Sequence, residues 1–239
     1  LSSGHREHFD KIASDYSKAS DTWASVYRRI GELASPAVAG RDVLDIGNGG
    51  FFPYDTRGVR TLTILDISPA MLDRIEAPGA RKVVGDARDL APIPDASQDV
   101  VMYLLCLHHI CGKDRRETLS YLEDIFRSAA RVLRPGGHVL IAEPVTGGWV
   151  HASQRALFGA TRAVLAAKNV PMIFFHRAAD ISERLAGSLG IPEKSVERVP
   201  LPVTGWVDPL GGSFPGVIKI PAKLNLTDYI FFKASKPPR

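Results

Sequence analysis

The nine residues from Asp42 to Gly50, Asp-Val-Leu-Asp-Ile-Gly-Asn-Gly-Gly, constrain this chain more than any other stretch. Val43, Leu44 and Ile46 predict a short buried strand with Asp45 near its carboxyl end. Gly47, Asn48, Gly49 and Gly50 then predict a turn nearly bare of side chains. Such a turn lets backbone approach a ligand closely and supplies positive φ where it is needed. The next apolar run, Leu62 to Leu65, ends at Asp66, about 20 residues further on. An acid there, at the tip of the neighbouring parallel strand, is placed to hold a ribose diol. The expected ligand is therefore of nucleoside type and lies across the carboxyl ends of a parallel sheet.

Downstream, strand and helix signals alternate. Ser68-Pro69 caps a helix through Met71, Leu72 and Ile75. Arg81 to Val84 predict a third strand, followed by Gly85-Asp86-Ala87 with a second acid at a strand tip. Residues 92–98 predict a loop, and Asp99 to Leu105 a continuous buried strand. Helical periodicity runs from Asp114 to Leu133, and Arg134-Pro135-Gly136-Gly137 is expected to stop it. His138 to Glu143 predict strand five. This alternation implies a Rossmann-like, doubly wound α/β fold around a mostly parallel sheet with right-handed crossovers.

Three regions depart from the rhythm. Ahead of the sheet, Phe9, Ile12, Ala13 and Tyr16, then Trp23, Val26, Tyr27 and Ile30, predict two amino-terminal helices within residues 1–40. Between strands one and two, Pro53 and Gly58 leave no room for a full crossover helix, so a short turn or loop with Phe51, Phe52 or Tyr54 as an aromatic wall is expected. Residues 144–178 hold Trp149, a helix from Ser153 to Lys168 and an aromatic run ending at His176, which fits either a substrate cap or a packing insertion. A helix from Ala179 to Leu189 and strands near Ser195 to Val207 and Asn225 to Ala234 complete the sheet around a Pro/Gly-rich flap at 208–221. All 239 residues are read as a single domain, with 41–143 as its ligand-binding core.

Charge and cysteine use narrow the setting. A net charge of +4 comes from scattered Lys and Arg, with only small pairs such as Arg28-Arg29 and Arg115-Arg116, so no nucleic-acid stripe is expected. Cys106 and Cys111 form neither a disulfide framework nor a Cys-x-x-Cys knuckle, which suits a reducing compartment. The apolar run from Val100 to Leu107 is too short to span a bilayer, and the first residues lack a signal-peptide core. A cytoplasmic protein without membrane or nucleic-acid partners is the expectation; oligomeric state is not legible.

Six motifs stand in order along the chain. They are Phe-Asp-x-Ile-Ala-x-x-Tyr at 9–16, Val-Leu-Asp-Ile-Gly-x-Gly at 43–49 and Leu-Asp-Ile-Ser-Pro-x-Met-Leu at 65–72. Gly-Asp-Ala at 85–87, Leu-His-His-Ile at 107–110 and Arg-Val-Leu-Arg-Pro-Gly-Gly at 131–137 follow. With them the chain resembles the class I S-adenosylmethionine-dependent methyltransferases, nearest the small-molecule group that includes quinone biosynthesis. The resemblance implies a seven-stranded sheet with an antiparallel last strand, and S-adenosylmethionine as cofactor with S-adenosylhomocysteine as product. It assigns Asp45, Gly47, Asn48 and Gly49 to the methionine half, Asp45 meeting the ammonium directly or through water. Asp66 would hold the ribose, Ile67 the adenine face, Asp86 the adenine amino group and the Ala87 backbone the ring edge. Leu104 or Leu105 would offer backbone groups, and Tyr16 would close over the carboxylate. The family usually carries a third glycine where Phe51 stands.

Methyl transfer needs alignment and dryness, and for a hydroxyl acceptor a base. His109, then His108, are the candidates, with Glu143, His151, His176 and Tyr229 behind them. No metal site is legible. The expected reaction is methylation of a small apolar acceptor, an aromatic or polyketide-like metabolite of secondary metabolism or antibiotic biosynthesis, most simply at oxygen. Carbon or nitrogen methylation, an RNA substrate, and a protein that keeps the cofactor without transferring the methyl are the alternatives.

Overall fold

The computed structural model describes residues 24–168, 170, 172–204, 206–207, 220–221 and 225–238. The helix expected around Phe9 to Tyr16 and the flap residues 208–219 lie outside the described residues.

Side chains of a strand alternate between faces, and in β1 (Asp42–Ile46) this divides the core in two. Leu44 and Ile46 join one apolar cluster and Val43 the other. The first is covered by α3 (Arg115–Val132) and α6 (Ala178–Leu189), through Leu122, Ile125 and Phe126 and through Ile181 and Leu185. The second is covered by α1 (Ala24–Val38), through Val26, Ile30 and Ala34. Fully burying a side chain such as Phe126 or Ile30 contributes at most about 1.5–3 kcal/mol, so the two clusters dominate the hold on the sheet.

Seven strands form the sheet: β1, β2 (Thr61–Asp66), β3 (Arg81–Val84), β4 (Gln98–Leu104), β5 (Leu133–Val145), β6 (Glu197–Leu201) and β9 (Asp228–Ser235), in the order β3-β2-β1-β4-β5-β9-β6. Strands β1 to β5 are parallel, whereas β9 runs antiparallel to both β5 and β6. The expected topology stands. Strand order reverses between β1 and β4, and ligands of such sheets bind at that switch point, beyond the carboxyl ends. At the opposite ends, Arg60 and Arg134 each bridge Asp42 and Asp99 at 2.6–2.8 Å, fastening β1, β2, β4 and β5 together.

Several expected boundaries move. Helix α3 starts where Asp114 caps the Glu117 N–H at 2.9 Å, but it hands over to β5 at Leu133, before the Pro-Gly-Gly run. Leu133 already pairs with Gln98, and Lys236 Nζ donates to the Ala130 and Leu133 carbonyls at 2.6 and 2.8 Å. Gly137 therefore serves a close approach inside the strand, because a Cβ there would stand 2.9 Å from the Asp99 carbonyl oxygen. The cap helix expected over 153–168 is two helices, α4 (Gly148–Ala156) and α5 (Phe158–Ala167). The break at Leu157 turns Phe158 into a small core with Cys111, Met172 and Phe174. The strand expected to reach Val207 ends at Leu201; β7 (Trp206–Val207) pairs instead with β8 (Ile220–Pro221), giving the flap a two-stranded base.

No helix intervenes between β1 and β2, as Pro53 and Gly58 foretold. The segment is clamped to α1 instead. A Cβ on Gly31 would lie 2.1 Å from the Pro53 carbonyl oxygen, so only glycine lets the segment seat. Gly40 N–H donates to the Gly58 carbonyl at 2.7 Å, and Asp55 N–H to Ser35 Oγ at 3.1 Å. α2 (Pro69–Arg74) follows β2, with Ser68 Oγ accepting from the Met71 N–H at 3.1 Å and Pro69 in its first turn.

Candidate cofactor pocket and active site

The turn after β1 is built as its glycines require. Gly47, Gly49 and Gly50 have φ of 67°, 68° and 88°. At Gly47 a Cβ would stand 2.9 Å from the Cys106 Cβ, so the turn also needs the bare backbone for contact with the loop after β4. Asn48 stiffens it: its Oδ1 accepts from the Gly50 N–H at 3.0 Å, while Nδ2 donates to Asp45 Oδ2 at 2.7 Å and to the Phe51 carbonyl at 3.1 Å.

Beyond the strand tips lies a cleft with about 620 Å³ of open space. Gly47, Gly49, Asp66, Ile67, Ala87 and Leu105 of the expected cofactor set line it, and so does His109. Asp66 Oδ1 accepts from the Ser68 N–H at 2.8 Å, which fixes its carboxylate at the tip of β2. Leu105 sits at φ 58°, a strained value for leucine, with its N–H on the Ala142 carbonyl at 2.8 Å. Cys106, Met71 and Ile110 also form the wall. From the sequence Met71 reads as helix core, Cys106 only as an unpaired cysteine and Ile110 only as part of the Leu-His-His-Ile motif.

Four expected ligand residues, Asp45, Asn48, Leu104 and Asp86, are not in the cleft wall. Leu104 is buried in the α1-side core. Asp86 is held by its second neighbour: Arg88 Nη2 donates to Oδ2 at 2.6 Å, Nε to both oxygens at 3.0 Å, and the Arg88 N–H to Oδ1 at 2.9 Å. Burial works against ionisation of Asp86, yet Arg88 holds its carboxyl below the usual range. Asp86 lines an outer groove with Asp124, Arg127 and Ser128 rather than the main cleft, where Gly85 and Ala87 flank its backbone. The reason is local: an Asp two residues before an Arg closes its own fork. Tyr16 lies outside the described residues.

Asp45 is fully buried on the α1 side of β1. Its Oδ2 accepts from Tyr54 Oη at 2.6 Å and from Asn48 at 2.7 Å, while Oδ1 is buried and has no partner among the described residues. Burial pushes the Asp45 carboxyl up to about 6, against the two donors. A buried carboxylate oxygen without a donor is costly and suits a cationic ligand group. Together with the glycine cradle it fits the amino-acid end of an S-adenosyl cofactor. Tyr54, read from sequence only as part of an aromatic wall, is the residue that anchors this acid. The need of a buried tyrosine hydroxyl for a polar partner points to it once its burial is known.

The two histidines after β4 differ. His108 Nδ1 lies 2.8 Å from Glu143 Oε2, and Glu143 Oε1 accepts from the Cys106 and Leu107 N–H groups at 2.7 and 2.6 Å. Burial pushes Glu143 up to about 8, against these donors, and pushes His108 down to about 3. Both shifts favour the uncharged pair, a carboxylic acid beside a neutral imidazole. Loss of the carboxyl proton leaves Nδ1–H donating to a carboxylate and a lone pair on Nε2. The His109 ring lies 4.1 Å from that of His108, tilted by 41°, and of the two only His109 lines the cleft. His151 and His176 are buried in the cap against Phe174, and neither lines the cleft. Tyr229 is in β9 beside Pro144, also outside the cleft wall.

Sheet order, glycine turn and acidic strand tip define a class I S-adenosylmethionine-dependent methyltransferase fold. Residues 44–141 match the family model described as a methyltransferase domain. It is similar to the demethylmenaquinone methyltransferase of Tropheryma whipplei strain Twist, with 28% identity over 151 residues. That match spans 58% of this chain and 58% of the relative's length. Among solved structures, a chain of the complex between the Haloferax volcanii Trm112 methyltransferase activator and a putative methyltransferase superposes with a TM-score of 0.66 at 19% identity, covering 98% of both chains. The [4+2]-cyclase SpnF does so with 0.62 at 15%, covering 98% of this chain and 95% of its own. No helix among the described residues is long and apolar enough to cross a membrane.

Proposed function

We propose that this chain transfers a methyl group from S-adenosylmethionine to a small apolar acceptor, most simply the hydroxyl of an aromatic or polyketide-like metabolite, in the reducing cytoplasm. The observation that supports the reading is the cleft at the switch point, lined by Gly47, Gly49 and Asp66, with the unpartnered Asp45 Oδ1 buried in the strand that leads into the same turn. When bound, the cofactor supplies an electrophilic methyl on a sulfonium. Asp66 would accept from the ribose hydroxyls, Ile67 and Met71 would cover the adenine, and Asp45 would accept from the ammonium. The apolar wall of Leu105, Cys106 and Ile110 keeps water from the reacting centre. His108, held by Glu143 and adjoining His109 of the cleft wall rather than lining the cleft itself, would take the acceptor's proton at Nε2.

The two-helix cap and its small apolar core, next to His108 through the Phe174 N–H bond to the His108 carbonyl at 2.9 Å, support an apolar acceptor. The relative's name adds demethylmenaquinone as an acceptor to try. A second reading, a protein that keeps the cofactor without transferring the methyl, is favoured by Phe51, which stands in the place of the third glycine and packs on Tyr27 at 4.5 Å.

Isothermal titration with S-adenosylmethionine and S-adenosylhomocysteine, on wild type and Asp66→Ala, tests the first step. Binding to wild type that is lost in the variant is expected; no binding to folded wild type overturns the reading. Methyl transfer to demethylmenaquinone and to phenolic polyketides then separates the two readings. Turnover on either acceptor sinks the second.

A further inference from the structure

Asp45 has two oxygens in unequal circumstances, and the difference is made by a residue of the unusual β1–β2 crossover. Oδ2 is fully engaged by Tyr54 and Asn48, at 2.6 and 2.7 Å, whereas Oδ1 is buried without a donor among the described residues. Tyr54 cannot drift from this position. Its ring is buried in the α1-side core, edge-on to Phe52 at 5.8 Å, and the neighbouring Pro53 carbonyl is pressed onto Gly31.

We propose that Tyr54 is a positioning residue for the cofactor's α-ammonium: its hydroxyl occupies Asp45 Oδ2 and leaves Oδ1 as the single acceptor for that cation. The inference rests on the cofactor reading above and goes beyond it, because it makes the crossover segment set when the acid can receive the ligand. Only the ionised carboxyl accepts from an ammonium at Oδ1, since a proton there would face another donor.

Burial, Tyr54 and Asn48 are the influences on Asp45 among the described residues. The Cys106 thiol faces it from the loop after β4, and the Asp66 and Glu143 carboxyls act on that thiol from the tips of β2 and β5. His108 is held by Glu143. Asp45 stands near its titration point at about 6, so removing a donor to its ionised form moves that point upward.

The test compares S-adenosylhomocysteine with 5′-methylthioadenosine, which keeps the adenosine and sulfur but lacks the amino-acid end. Dissociation constants are measured between about pH 5 and 7.5, where an α-ammonium keeps its charge. For wild type, S-adenosylhomocysteine affinity is expected to fall about tenfold per unit below a midpoint near pH 6, while 5′-methylthioadenosine affinity stays flat. In Tyr54→Phe the midpoint for S-adenosylhomocysteine is expected to rise by about 1 unit, with 5′-methylthioadenosine unchanged. Should that variant fail to fold, Asn48→Ala removes the other donor to Oδ2 and is expected to shift the midpoint in the same direction. Carbon-13 titration of the Asp45 carboxyl in unliganded wild type reads the same midpoint directly.

S-adenosylhomocysteine binding with an unmoved midpoint overturns the role of Tyr54 and spares the cofactor reading. An equal pH dependence for 5′-methylthioadenosine does the same. Failure of folded wild type to bind either ligand overturns the cofactor reading, and this inference with it.

Discussion

Glu143 at the tip of β5 holds His108 from the loop after β4 through a 2.8 Å contact between Oε2 and Nδ1. Burial pushes the Glu143 carboxyl up to about 8, so its proton is expected to leave as pH rises through that value, with Nδ1 then donating to the carboxylate and Nε2 open to an acceptor hydroxyl. The proposed O-methylation is therefore expected to show a kcat that climbs with pH through about 8. His108→Gln should lower kcat about 100-fold and abolish that rise, leaving cofactor affinity within about threefold. His109→Gln, which alters the cleft wall, should act on KM more than on kcat. Steady-state kinetics of the three proteins between pH 6 and 9 decides the matter. A kcat that falls equally in both variants rejects His108 as the base.

His176 makes acid stability a separate matter. Burial pushes its imidazole from the ordinary 6.5 down to about 3, so between those values the unfolded chain binds a proton that the folded chain refuses. Its contribution is fully present above 6.5 and is lost as pH falls toward 3, at up to about 1.4 kcal/mol per unit. Asp45 and Glu143, both raised, act with the opposite sign, so total stability conceals the effect. The difference between wild type and His176→Gln isolates it. Urea unfolding at pH 7, 6 and 5 should show wild type losing ground to the variant as pH falls. A difference independent of pH contradicts a neutral, buried His176.

Gly47 is bound by two requirements at once, a φ of 67° and a Cβ position 2.9 Å from the Cys106 Cβ. Gly47→Ala should cost about 1–3 kcal/mol, part in backbone strain and part in displacing the loop after β4. Because that loop also carries Leu105 and the two histidines, cofactor affinity should fall with stability. Gly40→Ala, with φ of 68° but open space around it, is the control for backbone strain alone. Unfolding in urea, with cofactor titration of each variant, separates the two terms.

Much of this was legible because it is local. The β1 strand, the bare turn, Asp66 at the next tip and the Ser68-Pro69 cap depend on residues within a few positions of one another. The missing crossover helix was legible too, since Pro53 and Gly58 forbid it. What escaped depends on partners brought together by the fold. Nothing near Pro135-Gly136-Gly137 announces that Lys236 will cap the preceding helix, or that Gly137 must clear the Asp99 carbonyl. The break at Leu157 follows from the burial of Phe158 against Met172 and Phe174, a tertiary demand that overrides a continuous helical pattern. Tyr54 is intermediate: the sequence marks it as an aromatic wall, but its hydrogen bond to Asp45 depends on the fold seating the crossover segment against Gly31.

The two acidic strand tips, alike in sequence, are expected to behave differently. Asp66 lines the cleft with its carboxylate held from behind by the Ser68 N–H, whereas Asp86 is turned to Arg88 and the outer groove. A charge-assisted hydrogen bond to a ligand is worth about 1.5–3 kcal/mol, so Asp66→Asn should weaken S-adenosylhomocysteine binding by roughly 10- to 100-fold. Asp86→Asn breaks the fork with Arg88, which stacks on Tyr121 at 4.4 Å, and should leave binding within about threefold. Replacing the adenine amino group by hydrogen in the ligand probes the same point from the other side, with little loss expected in wild type. If Asp86→Asn and the deaminated ligand each lose tenfold or more, the carboxylate leaves Arg88 when the cofactor binds. The fork is then a resting state and the family's adenine contact is kept.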